Sequence, residues 1–147
     1  MLKEDYIDFD KWFIKKFDDE KKQKAMRVLL SIKPEFANKI FDGTKKYEFR
    51  KSIFKRNDIK TVVVYASSPV QQVIGEFEIE DILHKEVELL WQLTQRFAGI
   101  NKDFYDDYFA DKEMAFAIQV GKIHKFRNPK RLSDYDINYA PQSFAYL

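Results

Sequence analysis

The sequence predicts a mixed α+β fold in which a small β-barrel carries appended helices. Apolar runs and alternating segments that are typical of strands occur in six places along the 147 residues. Helical patterns separate only some of these segments, which gives the order β-α-β-β-β-α-α-β-β. Because no βαβ unit repeats, the order argues against a doubly wound parallel sheet.

The predicted elements begin at residue 26. Residues 26–32 form an apolar run that predicts a buried strand. In residues 33–43, Pro34 suits the first turn of a helix and Gly43 suits its end. Residues 43–52 then alternate apolar and charged side chains, which predicts a half-buried strand.

Two more strands precede the second helical region. Residues 61–66, TVVVYA, predict a fully buried strand, and the turn SSP follows it. Residues 71–83 predict a long strand with Phe77 and Ile79 facing the core. Its three glutamates alternate with them and are interpreted as a solvated face rather than as paired catalytic carboxylates: Glu76, Glu78 and Glu80.

The second half of the chain completes the order. Residues 84–97 predict a helix that Gly99 ends, and Asn101 is placed to cap a second helix over residues 102–112. The remaining predicted elements are a strand over residues 114–123, a short turn capped by Ser133 and a last strand over residues 141–147.

Residues 1–25 are predicted to form a helical extension packed on a domain that spans residues 26–147. Aromatic residues recur in the extension at helical spacing, which is typical of an amphipathic helix: Tyr6, Phe9, Phe13 and Phe17, with Trp12 beside them.

Composition excludes several classes of protein. Apolar residues make up 45 % of the chain, which favours a folded domain over intrinsic disorder. The chain has no cysteine, which rules out disulfides and thiolate metal sites and fits a reducing compartment. The N-terminus is charged and lacks an apolar run, and no stretch is long enough to span a membrane. We therefore expect a soluble, cytoplasmic protein without a membrane partner.

The charges are unevenly distributed along the chain. Residues 33–60 contain nine Lys or Arg and four Asp or Glu, and residues 122–131 contain five basic residues and no acid. Residues 76–113 instead contain eleven acids and four Lys or Arg. This pattern favours a surface with one cationic side suited to a polyanion.

The pattern Gly43-x-Lys45-x-x-Glu48-x-Arg50 opens the second predicted strand. Residues i and i+2 of a strand point the same way, about 6.6 Å apart, so Glu48 and Arg50 share a face. With Lys45 they provide a carboxylate acceptor, a forked donor and a point cation, which suit a nucleobase edge and a nearby phosphate. A structural ion pair without a ligand is the alternative.

This pattern and its surroundings resemble the ASCH domain, a family of the PUA-like superfamily, in its bacterial, archaeal and phage branch. Three companion segments carry the same resemblance: LLSIKPEFANKIFDG, VVVYASSPVQQVIGEFEI and PQSFAYL. The resemblance covers residues 26–147 and leaves residues 1–25 outside. It implies a PUA-like barrel with a cleft that binds RNA or a modified nucleoside.

The expected ligand site combines the signature with polar and aromatic residues from other strand ends: Lys45, Glu48, Arg50, Ser67, Ser68, Gln142, Ser143 and Phe144. Phe144 or Tyr146 is expected to stack on a base. The expected partner is RNA, a nucleotide or a nucleoside, with DNA as a possible alternative. No cofactor or metal is expected, because the two histidines, His84 and His124, lack metal-site spacing and no phosphate-binding loop occurs.

The resemblance also leaves open whether this protein is an enzyme. Some relatives remove the acetyl group of N4-acetylcytidine, using the signature lysine, a threonine three residues later and a glutamate in the helical insert, and others are linked to RNA cleavage. Here Glu48 replaces the threonine and residues 97–99 contain no acid. We therefore expect binding without catalysis; a hydrolase would use Lys45 and Glu48. Glu48 is expected to raise the pKa of Lys45.

A protein-interaction domain that docks through the acidic helices of residues 84–111 is a second alternative.

Overall fold

The computed structural model describes residues 10–16 and 26–147. Its elements are β1 (Arg27–Ile32), α1 (Pro34–Phe41), β2 (Tyr47–Arg50), β3 (Thr61–Ala66), β4 (Gln72–Glu86), α2 (Val87–Thr94), α3 (Lys102–Tyr108), β5 (Met114–Lys130) and β6 (Phe144–Tyr146). Short 3₁₀ helices follow α2 at Gln95–Phe97 and β5 at Leu132–Tyr135. The predicted order of strands and helices is confirmed.

The six strands form one sheet in the order β2-β5-β4-β3-β1-β6. β1 and β3 are parallel, and every other pair is antiparallel. The register between β4 and β5 shifts around Ile79. Such irregularities bend a strand pair, and the sheet curls into a half-barrel. The predicted mixed α+β fold, with a small curled sheet and appended helices, is confirmed.

The long antiparallel pair of β4 and β5 extends further than the sequence pattern predicts. His84 pairs with Phe116 and Glu86 pairs with Met114, so residues 84–86 are strand rather than the start of a helix. The helix begins at Val87 instead. Cross-strand pairing outweighs the helical pattern here because the ladder supplies backbone hydrogen bonds to these residues as soon as β5 lies beside them.

Two apolar clusters pack the helices against the sheet. On one side, α1 buries Ala37 and Ile40 against the apolar residues of β1 and β3. On the other side, α2 and α3 pack Leu90 and Tyr105 against Phe49 of β2. The Tyr105 hydroxyl donates a hydrogen bond of 2.7 Å to the Val87 carbonyl, which ties the two helices together. β2 is therefore packed against α2 and α3, and α1 covers β1 and β3.

Residues 10–16 are helical, and their apolar side chains Trp12, Phe13 and Ile14 are about half exposed or more. Tyr6, Phe9 and Phe17 lie outside the described residues, so the packing of the extension on the domain stays a prediction. None of the helices among the described residues is both long and apolar enough to cross a membrane.

Candidate functional site

A cleft of about 490 Å³ lies between β2, the ends of β1 and β3, and the helices α1 and α3. Six of the eight predicted site residues line it: Lys45, Glu48, Arg50, Ser67, Ser68 and Gln142. Five aromatic side chains form much of the remaining wall: Phe36, Phe49, Tyr65, Phe104 and Tyr108. The elements that bring the signature here are the end of α1 and the start of β2.

The turn after α1 directs the signature into the cleft. Gly43 has a φ of +86°, a left-handed conformation that glycine adopts without strain, and it ends the helix as predicted. The Lys39 carbonyl then accepts hydrogen bonds from the backbone nitrogens of Thr44 and Lys45. Asp42 also accepts from the Thr44 nitrogen at 2.9 Å. These bonds fix the direction in which the chain enters β2.

Lys45 is buried, with 2 % of its surface exposed. Its Nζ donates a 2.6 Å hydrogen bond to the Ala98 carbonyl and lies 4.8 Å from the ring centre of Phe49. Burial lowers the pKa of Lys45 to about 8, and the opposing charge of Glu48 offsets only part of this shift. The expectation of a raised pKa was wrong, because loss of hydration outweighs the nearby carboxylate.

The segment after α2 packs directly on Lys45. Gly99 has a φ of +70°, and a Cβ at this position would lie 2.5 Å from Lys45 Cγ. The Gly99 carbonyl accepts a 3.0 Å hydrogen bond from Lys39 Nζ, and the Phe97 carbonyl accepts one from the Lys46 nitrogen. The resemblance implies a glutamate in this segment of the relatives that remove the acetyl group of N4-acetylcytidine. Here Lys45 instead bonds the backbone carbonyl of Ala98.

Glu48 and Arg50 share one face of β2, as the alternation of side chains along a strand predicts. Arg50 Nε lies 3.5 Å from Glu48 Oε1, and the two side chains are 12 % and 10 % exposed. Arg50 Nη2 donates to the Ser31 carbonyl at 2.9 Å, and Nη1 donates to Ser143 Oγ at 3.4 Å. Glu48 Oε2 and Arg50 Nε are buried and have no hydrogen-bond partner. Both residues also line the cleft.

Two predicted residues lie outside the lining of the cleft. Ser143 lies behind it, where its hydroxyl supports the arginine of the signature. Phe144 packs edge-to-face against Phe54, with ring centres 6.1 Å apart, as part of the core. Tyr146 accepts a hydrogen bond from the Lys55 nitrogen instead of facing the cleft. The alternation of β6 directs Phe144 into the core, so neither ring is placed to stack on a base in the cleft.

The sequence did not predict that aromatic side chains line the cleft. Phe36 and Phe104 meet edge-to-face, with ring centres 5.3 Å apart, and Lys33 Nζ lies 5.8 Å from the Phe104 ring. Helical spacing places Phe36 on the same side of α1 as Ala37 and Ile40, and this pattern does not separate a core residue from a cleft residue. Nothing in the sequence brings Phe104 beside Phe36.

The acidic region carries ion pairs of its own. Lys102 Nζ bonds Glu88 at 3.0 Å and Asp106 at 2.8 Å, which joins the start of α3 to α2. Across residues 10–16 and 26–147 there is no group of three or more His, Cys, Asp or Glu side chains arranged to hold a metal ion. A docking role for the acidic helices stays a prediction.

Comparison with known proteins identifies the family. The ASCH domain family matches residues 30–124. The chain is 34 % identical over 123 residues to an ASCH domain-containing ribonuclease from Zymomonas mobilis, covering 82 % of this chain and 83 % of that protein. The chain belongs to the ASCH domain family, and the predicted resemblance is confirmed. The crystal structure of ASCH from Zymomonas mobilis superposes with a TM-score of 0.75 at 32 % identity, covering 84 % of this chain and 88 % of that one.

Larger proteins contain similar segments. The large ribosomal subunit protein uL22 of Ureaplasma parvum is 32 % identical over 120 residues, which are 82 % of this chain and 39 % of that protein. The ATP synthase subunit alpha of the same organism is 32 % identical over 121 residues, which are 15 % of its length. The chain thus spans less than half of either protein.

Proposed function

We propose that the cleft binds a nucleotide of single-stranded RNA. The observation that carries this proposal is the pairing of Glu48 with Arg50 at the wall of an open cleft, which both residues line. A base edge carries hydrogen-bond donors and acceptors side by side, so it complements a carboxylate next to a guanidinium. A purely structural ion pair would not need a cleft beside it.

The lining also suits the rest of a nucleotide. Its volume of about 490 Å³ lies in the range of small-ligand sites. Lys33, Lys45 and Arg50 line it with Glu48 as the one acid among the described lining residues, which favours an anionic ligand. Phe104, partly exposed at the cleft, supplies the aromatic face on which unpaired bases stack.

The family supports RNA as the ligand. The Zymomonas relative that aligns over most of both chains is named a ribonuclease, and a protein of that name acts on RNA. Single-stranded RNA exposes base edges that a duplex hides, so it is the form of RNA whose bases can enter the cleft.

Replacing Phe104 with alanine is expected to weaken binding of a short single-stranded RNA by about 1 to 3 kcal/mol, because one stacking surface is lost. Phe97→Ala is the matched control, since Phe97 is 36 % exposed, close to the 38 % of Phe104, but does not line the cleft. Fluorescence anisotropy with an end-labelled oligonucleotide measures both. Equal affinities of the two variants would contradict the proposal.

RNA cleavage in the same cleft is a second candidate, favoured by the lowered pKa of Lys45 and by the name of the Zymomonas relative. A neutral Lys45 Nζ would take the proton of a ribose 2′-hydroxyl. The 2′-oxygen would then form a bond to the adjacent phosphorus while the bond from phosphorus to the 5′-oxygen breaks. The leaving 5′-oxygen would take a proton from water, and Arg50 would offset the developing negative charge.

This candidate predicts a pH dependence. A base with a pKa of about 8 is roughly one-tenth neutral at pH 7 and nine-tenths neutral at pH 9, so the rate of cleavage should rise about tenfold over this range and then level off. Gel analysis of a labelled RNA under single-turnover conditions measures the rate. Lys45→Gln should lose it, while Lys55→Gln, at an exposed lysine, should retain it. If the RNA binds but is not cleaved, the cleavage candidate is wrong and the cleft is a binding site only.

A further inference from the structure

Residues 10–16 form a helix whose apolar side chains are about half exposed or more: Trp12, Phe13 and Ile14. In proteins, a short helix owes most of its stability to an apolar face that packs against another element. Phe13 also belongs to the aromatic pattern at helical spacing that runs through residues 6–17 of the sequence. This segment therefore requires an apolar surface to pack on.

The outer side of α2 is an apolar surface of this kind. Leu90 and Thr94 are the buried residues of this helix, whereas Leu89 is 43 % exposed and Leu93 is 54 % exposed. Leu89 and Leu93 are four positions apart, so they are neighbours on one side of the helix. Phe97 continues the same spacing into the following 3₁₀ helix and is also exposed. The result is a row of apolar side chains that faces solvent.

The other large apolar residues that are exposed in residues 26–147 form no such row. They are Val70, Phe104, Met114, Ile123, Tyr139 and Tyr146. No two of them are spaced as neighbours on one helix or strand, and Phe104 belongs to the cleft described above. Single apolar residues are normal on a protein surface, whereas a contiguous apolar patch marks a contact surface. The outer side of α2 is therefore the surface that a second apolar helix fits.

The charges of the two segments are complementary. Residues 10–16 contain three lysines and one aspartate, whereas residues 76–113, which include α2, contain eleven acids and four Lys or Arg. Glu86 lies one turn before Leu89 and forms no ion pair with any of the described residues. A helix that carries lysines is therefore attracted to this side of the domain.

We propose that residues 10–16 dock on the outer side of α2 of the same chain, with Phe13 packed against Leu89 and Leu93. An extended chain from residue 16 to residue 26 reaches at most about 36 Å, more than the roughly 30 Å diameter of a small domain. A short tether also holds the segment at an effective concentration on the order of millimolar, which favours the same chain over a second copy. The proposal does not depend on RNA binding, because Leu89 and Leu93 do not line the cleft.

Paramagnetic NMR of the full chain tests this contact. Because the chain has no cysteine, Gln92→Cys provides a single site for a nitroxide label at an exposed position of α2, three residues after Leu89. We expect the label to broaden the amide signals of residues 10–16. Leu93→Asp in the labelled protein should remove most of this broadening, because it places a charge in the apolar contact. Leu93 is half exposed, so the signals of the domain core should stay unchanged.

Val70→Asp is the matched control, because Val70 is 41 % exposed and lies in the turn after β3, away from α2 in the chain. A second sample mixes spin-labelled chain without isotope enrichment with isotope-enriched chain that carries no label. Broadening of residues 10–16 in this mixture would place the helix on a second copy and overturn docking within one chain. A lack of broadening in both samples, or equal losses in Leu93→Asp and Val70→Asp, would overturn the contact with α2.

Discussion

Replacing Lys45 with methionine is expected to stabilise the protein at pH 7 by about 2 kcal/mol. The shift of the Lys45 pKa from 10.5 to about 8 corresponds to a cost of about 3 kcal/mol for keeping the ammonium charged in the fold. Methionine retains the apolar stem and removes the charge. It also removes the hydrogen bond to the Ala98 carbonyl, which offsets about 1 kcal/mol of the gain.

The gain should depend on pH in a defined direction. The folded pKa lies below the unfolded one, so between about pH 8 and 10.5 the unfolded state binds more protons and the wild-type protein gains stability as pH rises. The advantage of Lys45→Met is therefore complete below about pH 8 and is lost progressively between pH 8 and 10.5. Urea unfolding across this range measures the difference, with Lys55→Met as the control at an exposed lysine. A destabilised Lys45→Met protein at pH 7 would contradict the account of its burial.

Replacing Gly99 with alanine is expected to destabilise the fold by about 2 to 5 kcal/mol. The left-handed φ of +70° costs an alanine about 1 to 2 kcal/mol. The new methyl group would also lie within 2.5 to 2.8 Å of Cβ, Cγ and Cδ of Lys45, which are near the backbone and cannot swing away. Overpacking of this kind adds about 1 to 3 kcal/mol.

Gly43 provides the control for this substitution. Its φ of +86° is also left-handed, but nothing lies within 4 Å of a Cβ built there. Gly43→Ala should therefore show only the backbone cost, and the difference between the two variants isolates the contact with Lys45. Denaturant unfolding gives both values. Equal losses would mean that Gly99 is needed for its backbone conformation alone and not to make room for the lysine.

The sequence predicts the part of the site that local periodicity determines. Glu48 and Arg50 share a face because side chains of a strand alternate, and Gly43 ends α1 because a left-handed residue is needed there. The burial of Lys45 could not be predicted, since it depends on residues 98 and 99 arriving more than fifty positions later in the chain. The direction of its pKa shift was wrong for the same reason.

The aromatic residues show a second limit on what can be predicted from the sequence. Phe144 was expected in the site and Phe104 was not, although the structure places them the other way round. Both are apolar residues of short elements. The spacing of apolar residues along a helix or strand does not show whether the apolar face of that element packs on the core or lines a cleft. The start of the predicted helix was likewise wrong at residues 84–86, because pairing with β5 makes these residues part of β4.

Photo-crosslinking is the most direct test of RNA binding in the cleft. A single-stranded RNA that contains 4-thiouridine is irradiated with the protein, and mass spectrometry locates the modified residues. The proposal predicts crosslinks at the aromatic wall, in Phe36, Phe104 or Tyr108, and their loss when unlabelled RNA competes. Crosslinks confined to the exposed basic segment of residues 122–131, with none in the cleft, would contradict it.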